Sequence, residues 1–548
     1  MKTIIYQLLP RLLGNRNTTR KRNGNIQENG VGKFNDINAT VLWRIKQLGV
    51  THVWYTGIVR HATQTDYSAY GIPCQHPSVV KGKAGSPYAI ADYYDVDPDL
   101  AVDPAKRFDE WKELIERTHR AGLKVIIDFV PNHVARQYQS VMKPDGVRDL
   151  GQDDDTNLHF STKNNFYYCW GQSFAPQFPV GSYVEQPAKA TGNDHFDASP
   201  GVNDWYETVK LNYGIDYCDA GGRSEHFTPE PDTWHKMLQI MRFWAKQGID
   251  GMRCDMAEMV PTAFWRWAIT RIKAERKDFI FIGEVYNPSQ YRDFVDAGFD
   301  YLYDKIGMYD TLFDVVRDNA STADITQRWQ QTADIWDHML YFLENHDELR
   351  IANDYFAGQP ERAIPALMTS VWMHRGPFML YFGQEFGEPG MDNEGFSGIN
   401  GRTTIFDYWC VESLRRGFFD RKQLTAGQLS LEKQYQQILR IARIERAIEH
   451  GEMFDLMYVN QHLAHKQYAF LRKWKNDLLL IVVNFADHDI HCDVNLPAHA
   501  FDFLQIDKGE YTAAELLSGM EKSLLLSDSM PLHLEVAANG GAIWKIKL

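Results

Sequence analysis

Three stretches of this chain share one grammar: an amphipathic helix, a glycine, then a short apolar strand. They read "ATVLWRIKQLGVTHVWYTGI", "PAKRFDEWKELIERTHRAGLKVIIDFV" and "PDTWHKMLQIMRFWAKQGIDGMRCDM". In the second, Asp103 suits an N-cap and Pro104 the first helical position. Phe108, Trp111 and Ile115 share one face, and Gly122 stops the helix. Further apolar strands are expected at 3–9, 279–285, 301–304, 339–345 and 377–382, which brings the number to eight. Strands that alternate with helices form a parallel sheet, and eight of them close into a (β/α)8 TIM barrel.

Two regions break the alternation. Residues 134–229 are rich in Gly, Asn, Asp and aromatics and lack a long helical period, so they form an insertion after the third strand. From 450 onward the text turns to short alternating runs such as "YAFLRKW" and "LLLIVVNFA", the pattern of an antiparallel β domain. The expected organisation is therefore a barrel over 1–133 and 230–449, a loop-rich insertion over 134–229, and a C-terminal β-sandwich over 450–548. A length of 548 residues, beyond one ordinary core, agrees with that division.

Composition narrows the partners. A formal net charge of -14 disfavours nucleic acid, whose phosphates are gripped by clustered Lys and Arg. No run of 18 apolar residues is present, so no membrane span is expected. Gln7, Pro10 and Arg11 interrupt the N-terminal "MKTIIYQLLPRLLGNRN", which reads as a strand rather than a signal peptide. The compartment stays open between the cytoplasm, as the chain stands, and the periplasm or exterior after removal of a leader. Six scattered cysteines without CxxC spacing read as reduced thiols. Aromatic residues make up 13% of the chain, supplying flat surfaces that stack on sugars or bases, and the acidic balance leaves sugars.

The chemistry collects at strand ends. Asp128 in "VIIDFVPNH", Asp255 in "GMRCDMAE", Glu284 in "FIFIGEVY" and Asp347 in "YFLENHDE" each close an apolar run, with His133 and His346 in the same loops. One carboxylate at a strand end is commonly a cap or a salt bridge. Four at one face of a barrel are costly to bury unless paired or poised for chemistry, and Arg253 supplies a fixed positive charge. Asp255 and Glu284, on adjacent strands, face each other, and a pair about 5–5.5 Å apart is the spacing of a retaining glycosidase.

These blocks resemble the four signature regions of the α-amylase superfamily, glycoside hydrolase family 13. "DFVPNH", "GMRCDMAE", "GEV" and "ENHDE" follow in order, supported by "IYQLLP", "SPYAIADYYDVDPDL" and "GQEFGE". The resemblance implies Asp255 as nucleophile, Glu284 as general acid/base and Asp347 as a carboxylate gripping sugar hydroxyls. It implies a substrate-binding set of Tyr88, His133, Arg253 and His346, with Arg253 also holding Asp255 ionised and Asp128 bracing Arg253. Asn132 matches a position that binds a structural calcium in the family; a plain loop asparagine is the alternative. No cofactor is needed for the chemistry. The implied activity is hydrolysis, with retention, of α-glucosidic bonds, foremost α-1,4, in starch, glycogen or maltooligosaccharides. An α-glucan transglycosidase and a catalytically silent carbohydrate-binding barrel are the alternatives. Two departures bear on specificity: Glu258 and Met259 replace the family's Lys-His, and Ser86 and Pro87 replace the His-Gly before Tyr88.

Overall fold

In the computed structural model, which describes residues 2–548, eight parallel strands close into a barrel. They are β1 (Ile4–Leu8), β2 (His52–Tyr55), β3 (Lys124–Phe129), β4 (Gly251–Cys254), β5 (Ile280–Gly283), β6 (Tyr301–Tyr303), β7 (Met339–Phe342) and β8 (Phe378–Tyr381). Each pairs with its successor and β8 returns to β1, so no strand edge is left open. All eight fall within the expected runs. Each is shorter than its run because the last residues leave the ladder to form the loops that carry the polar groups.

The glycine-punctuated unit folds as its chemistry dictates. The Asp103 side chain accepts the Ala105 N–H, a short turn at Pro104–Lys106 follows, and the helix runs Arg107–Arg120. Trp111 and Ile115 are buried on its inner face. Gly122 then takes φ +71°, a left-handed turn that a Cβ disfavours.

Side chains alternate between the two faces of the barrel wall. Outward residues such as Tyr6, Val53, Ile127, Met252, Phe281 and Leu302 join the large core beneath the helices. Inward residues Ile5, Trp54, Ile126, Ile282, Tyr303, Leu340 and Met379 pack a separate core along the axis. β4 alone sends no apolar side chain there, and what it sends instead decides the site.

Between β3 and the helix Asp232–Lys246 the chain makes only strands of two or three residues. His133–Ala135 pairs with Thr208–Lys210, Tyr168–Cys169 with Ala188–Lys189, and Ile215–Asp216 with Ser224–Glu225. The first of these ladders stitches the insertion to the barrel rim. Beyond the helix Ala426–Ile444, six antiparallel strands form a sheet, accompanied by the two-stranded ladder Ile490–Val494 with Leu532–Val536. Fully buried Arg472, on the strand Gln467–Trp474, fastens this sheet to the barrel domain. It donates to the carbonyls of Met373 at 2.7 Å, Ala447 at 3.0 Å and Ile448 at 2.6 Å, where helices end and carbonyls lack partners. No helix among the described residues is long and apolar enough to cross a membrane.

Candidate active site

The inward position that β4 withholds from the apolar core is filled by Arg253, which is fully buried. Its guanidinium lies 5.2 Å from the Trp54 ring and 5.5 Å from that of Tyr303, faces that partly replace lost water. The rest of the compensation is ionic. Nη1 donates to Asp255 Oδ1 at 2.8 Å and to Asp128 Oδ1 at 3.4 Å, Nε donates to the Tyr303 hydroxyl at 3.3 Å, and Nη2 lies 2.7 Å from Glu284 Oε2. That last contact is an ion pair whose angle makes no hydrogen bond.

Strand register produces this convergence. Arg253 pairs with Asp128 across β3 and β4, and Cys254 pairs with Gly283 across β4 and β5. Asp255 and Glu284 are the next residues of two neighbouring strands, and both turn inward. Met256 then takes φ +44°, an uncommon conformation for a bulky side chain, and that turn aims its N–H at Glu284 Oε2, 2.7 Å away. The Tyr286 hydroxyl donates to Glu284 Oε1 at 2.7 Å. Every contact of Glu284 is thus a donor or a cation, so delivering a proton requires exchanging one of them for a leaving-group oxygen.

Three carboxylates on one guanidinium cannot all be neutralised by it. Burial pushes Asp255 well above the usual carboxylate range. Arg253 opposes that shift, while Glu284, Asp128 and Asp347 add to it. Burial likewise raises Asp128 to about 6 against the pull of Arg253, and the Trp54 indole N–H donates to its Oδ2 at 3.0 Å. Asp347 behaves oppositely. Burial works to raise it, but His346, by charge and hydrogen bond, together with Arg253 and Arg402, holds it below its ordinary value. His133 is driven down to about 3 by burial and by Lys210 and Lys81, which keeps its ring neutral at physiological pH.

Asp255, Glu284, Asp347, His133, His346 and Tyr88 all line one cavity of about 440 Å³ at the barrel mouth. His133 Nε2 is 4.0 Å from Asp255 Oδ2. His346 Nε2 is 2.9 Å from Asp347 Oδ2 and 2.7 Å from the Tyr88 hydroxyl. Tyr88 stacks on the His346 ring at 5.1 Å, and Ser86, in the departure from the family pattern, accepts the Tyr88 N–H on its hydroxyl.

Two expectations are corrected. Arg253 does not belong with the substrate-binding residues: it is wholly enclosed beneath the carboxylates and offers a sugar no surface. Besides Asp255 it also pairs with Glu284, which takes the other arm of its fork. Asn132 is also differently engaged than a calcium ligand, because its Oδ1 accepts a short hydrogen bond from the buried Lys210 ammonium.

Sequence reasoning missed several neighbours. Tyr286 stands two residues after Glu284, where the strand period returns the side chain to the same side, and that signal was available. Glu258 accepts the N–H groups of Tyr286 and Asn287 at 2.8 and 3.0 Å, so it braces the loop that carries this tyrosine. Trp205, 5.2 Å from the His133 ring, and Arg402 come from irregular loops without periodicity. At the rim Lys81 pairs with Glu207 at 3.0 Å. Elsewhere in the insertion Asp216, Asp219 and His226 bring ligand-type atoms within 4.8 Å of one another, all at least partly exposed. None of the six cysteines is in a disulfide.

Comparison with known proteins agrees with this architecture. The model of the alpha-amylase catalytic domain matches residues 20–438. Neopullulanase 2 of Thermoactinomyces vulgaris is 22% identical over 354 residues, covering 63% of this chain and 48% of that protein. An alpha-amylase of Streptomyces lividans is 24% identical over 456 residues, covering 74% and 45%. The chain spans about half the length of these curated relatives. Among solved structures, a maltogenic alpha-amylase from Thermotoga neapolitana superposes with a TM-score of 0.63 at 18% identity, covering 100% of this chain and 99% of that one. An alpha-amylase from Geobacillus thermoleovorans, complexed with acarbose, gives 0.65 at 19%, covering 100% and 98%. At such identities these two structures share the fold.

Proposed function

The chain belongs to the alpha-amylase family, and we propose that it is a retaining glycoside hydrolase acting on α-glucosidic bonds, foremost the α-1,4 links of starch, glycogen or maltooligosaccharides. The observation that carries this reading is the pairing of Asp255 and Glu284. They follow one another out of adjacent strands and bind neighbouring nitrogens of one buried guanidinium. That arrangement favours the short separation of a retaining pair over the gap of about 6.5–9.5 Å that an inverting enzyme leaves for water.

In this mechanism Asp255 Oδ attacks the anomeric carbon while Glu284 gives its proton to the departing glycosidic oxygen, leaving a glycosyl-aspartate ester. Glu284, now a base, takes a proton from water, whose oxygen attacks the same carbon and releases Asp255. Asp347, held anionic beside His346, accepts hydrogen bonds from sugar hydroxyls, and neutral His133 donates one. Tyr88 and Trp205 supply aromatic faces. The site's own groups complete the proton and electron count, so the reaction needs no cofactor.

A second reading, transfer of the glycosyl unit to another sugar, uses the same intermediate. A cyclomaltodextrin glucanotransferase of Geobacillus stearothermophilus is among the relatives, 24% identical over 408 residues and covering 70% of this chain and 49% of that protein. One experiment tests both. Maltoheptaose is incubated with the protein, and products are followed by chromatography and by the anomeric signals in NMR. Shorter chains appearing first as the α-anomer support retaining hydrolysis, chains longer than seven units support transfer, and a first-formed β-anomer overturns the mechanism.

A further inference from the structure

A lysine ammonium sits where the insertion meets the barrel. Lys210 is buried and lies opposite His133 in the ladder that stitches the two together. Its Nζ donates a short hydrogen bond to Asn132 Oδ1, donates to the Met259 carbonyl at 3.3 Å, and lies 2.7 Å from Asp194 Oδ1. These oxygens come from three separate segments: the loop after β3, the loop after β4 and the insertion. An ammonium has three N–H groups and no acceptor; two of them donate to Asn132 and Met259, and the Asp194 carboxylate balances the charge as an ion pair that makes no hydrogen bond. Asn132 is oriented for the task, because its Nδ2 donates to the Gly192 carbonyl at 2.8 Å and leaves Oδ1 facing the cation. Asp194 adopts φ +61°, a left-handed turn that aspartate tolerates better than most side chains.

The family's calcium does not fit this point. Calcium takes about 6–8 oxygens at roughly 2.3–2.6 Å. Here the centre of the oxygen cradle is filled by a tethered cation, whose charge repels a second one.

We infer that Lys210 is the resident cation of this junction, cross-linking three segments as a bound metal would, so that the wild-type protein takes up no calcium at Asn132. Removing the side chain uncovers a divalent-cation site made of Asn132 Oδ1, the Asp194 carboxylate and the Met259 carbonyl, completed by water. The inference stands independently of the reaction proposed above.

The test uses the full chain and reads melting temperature and bound metal. Wild type, Lys210→Ala, Lys210→Gln and Asp194→Asn are melted in EDTA and in millimolar calcium chloride, and calcium is measured after gel filtration. Wild type should melt at the same temperature in both media. Lys210→Ala should melt lower in EDTA, regain part of the loss in calcium, and carry one more calcium ion than wild type. Lys210→Gln, whose amide fills more of the space, should lose stability with a smaller calcium response. A wild-type melting temperature that rises with calcium, and no longer does so in Asp194→Asn, overturns the inference. So does a Lys210→Ala protein that melts identically in both media. If Lys210→Ala folds in calcium and not in EDTA the inference is supported; failure to fold in either overturns it.

Discussion

Two of the molecule's cavities make a contrast in which the smaller holds the poised chemistry. The larger, about 680 Å³, lies in the C-terminal domain, lined by His462, His491, Lys522, His533 and Trp544 among others. The smaller is the barrel mouth, about 440 Å³. Both contain histidines, carboxylates and aromatic rings. In the larger, however, the charged pairs stand in water: His533 and Asp493, 2.5 Å apart, have side chains 77% and 55% exposed. In the smaller, Arg253, Asp255 and Glu284 are 0%, 7% and 3% exposed, while Asp347, at 44%, reaches solvent beside buried His346. Exposed pairs are screened and contribute little, whereas buried ones shift one another's titration and orient one another. The comparison teaches that charge kept from solvent, not volume, marks the reactive cavity.

The largest expected effect would break that comparison most directly. Asp255→Asn and Glu284→Gln should each lower turnover of an unactivated maltooligosaccharide by about three orders of magnitude, since each removes one half of a two-step displacement. Turnover of maltoheptaose by the purified variants, after circular dichroism has shown them folded, is the measurement. A folded Asp255→Asn protein with near-wild-type activity would sink the assignment.

Arg253→Met comes next and separates electrostatics from structure. Removing one partner of a buried ionic cluster costs about 3–5 kcal/mol, which urea or thermal melting reads. The variant also loses the group that opposes the burial-driven rise of Asp255. The nucleophile's pKa therefore climbs further, and the acidic limb of kcat/KM moves to higher pH. If Arg253 were only a brace for Asp128, stability would fall and the limb would stay in place.

These two predictions were largely legible in the sequence, and the reason is periodicity. Arg253 and Asp255 are two apart on a strand, so they must point the same way. The helix-glycine-strand unit put that strand next to the one ending at Glu284. What escaped came from elements without a period. Trp205 and Arg402 sit on loops whose course depends on tertiary contacts. Lys210 is invisible as a cation for Asn132 because 78 residues of irregular chain separate them. The sharing of Arg253 by Glu284 was hidden for another reason: register shows which residues are neighbours but not how a guanidinium divides its nitrogens.

A third effect, confined to acid pH, sharpens the contrast. The folded protein holds His133 at about 3, against about 6.5 for an unfolded histidine. The unfolded state therefore takes up a proton first. Stability is fully present above about 6.5 and is lost as pH falls from there toward 3, by about 1.4 kcal/mol for each full unit. Asp128, raised to about 6, acts in the opposite sense, gaining stability as pH falls from 6 toward its unfolded value. Only a difference between proteins isolates His133: in His133→Gln the acid-side fall should be shallower than in wild type by that increment. Parallel curves would show that His133 titrates as freely as a solvated histidine.

The smallest expected effect belongs to the larger cavity. His533→Ala removes an exposed partner of Asp493, and the ring lies on the ladder's open face, where the neighbouring pair of His491 with Glu535 is 83% and 82% exposed. Water replaces the lost contact at little cost, so stability should change by no more than about 0.5 kcal/mol. The maltoheptaose turnover number should stay within about twofold of wild type, because nothing at this ladder reaches Asp255 or Glu284. Starch should be tested beside the short oligosaccharide. If His533→Ala weakened action on starch alone, raising KM while leaving maltoheptaose turnover untouched, the C-terminal cavity would be holding polymer remote from the bond being cut. The two cavities would then differ in the step they serve, and solvent exposure of charge would mark a binding surface rather than an idle one.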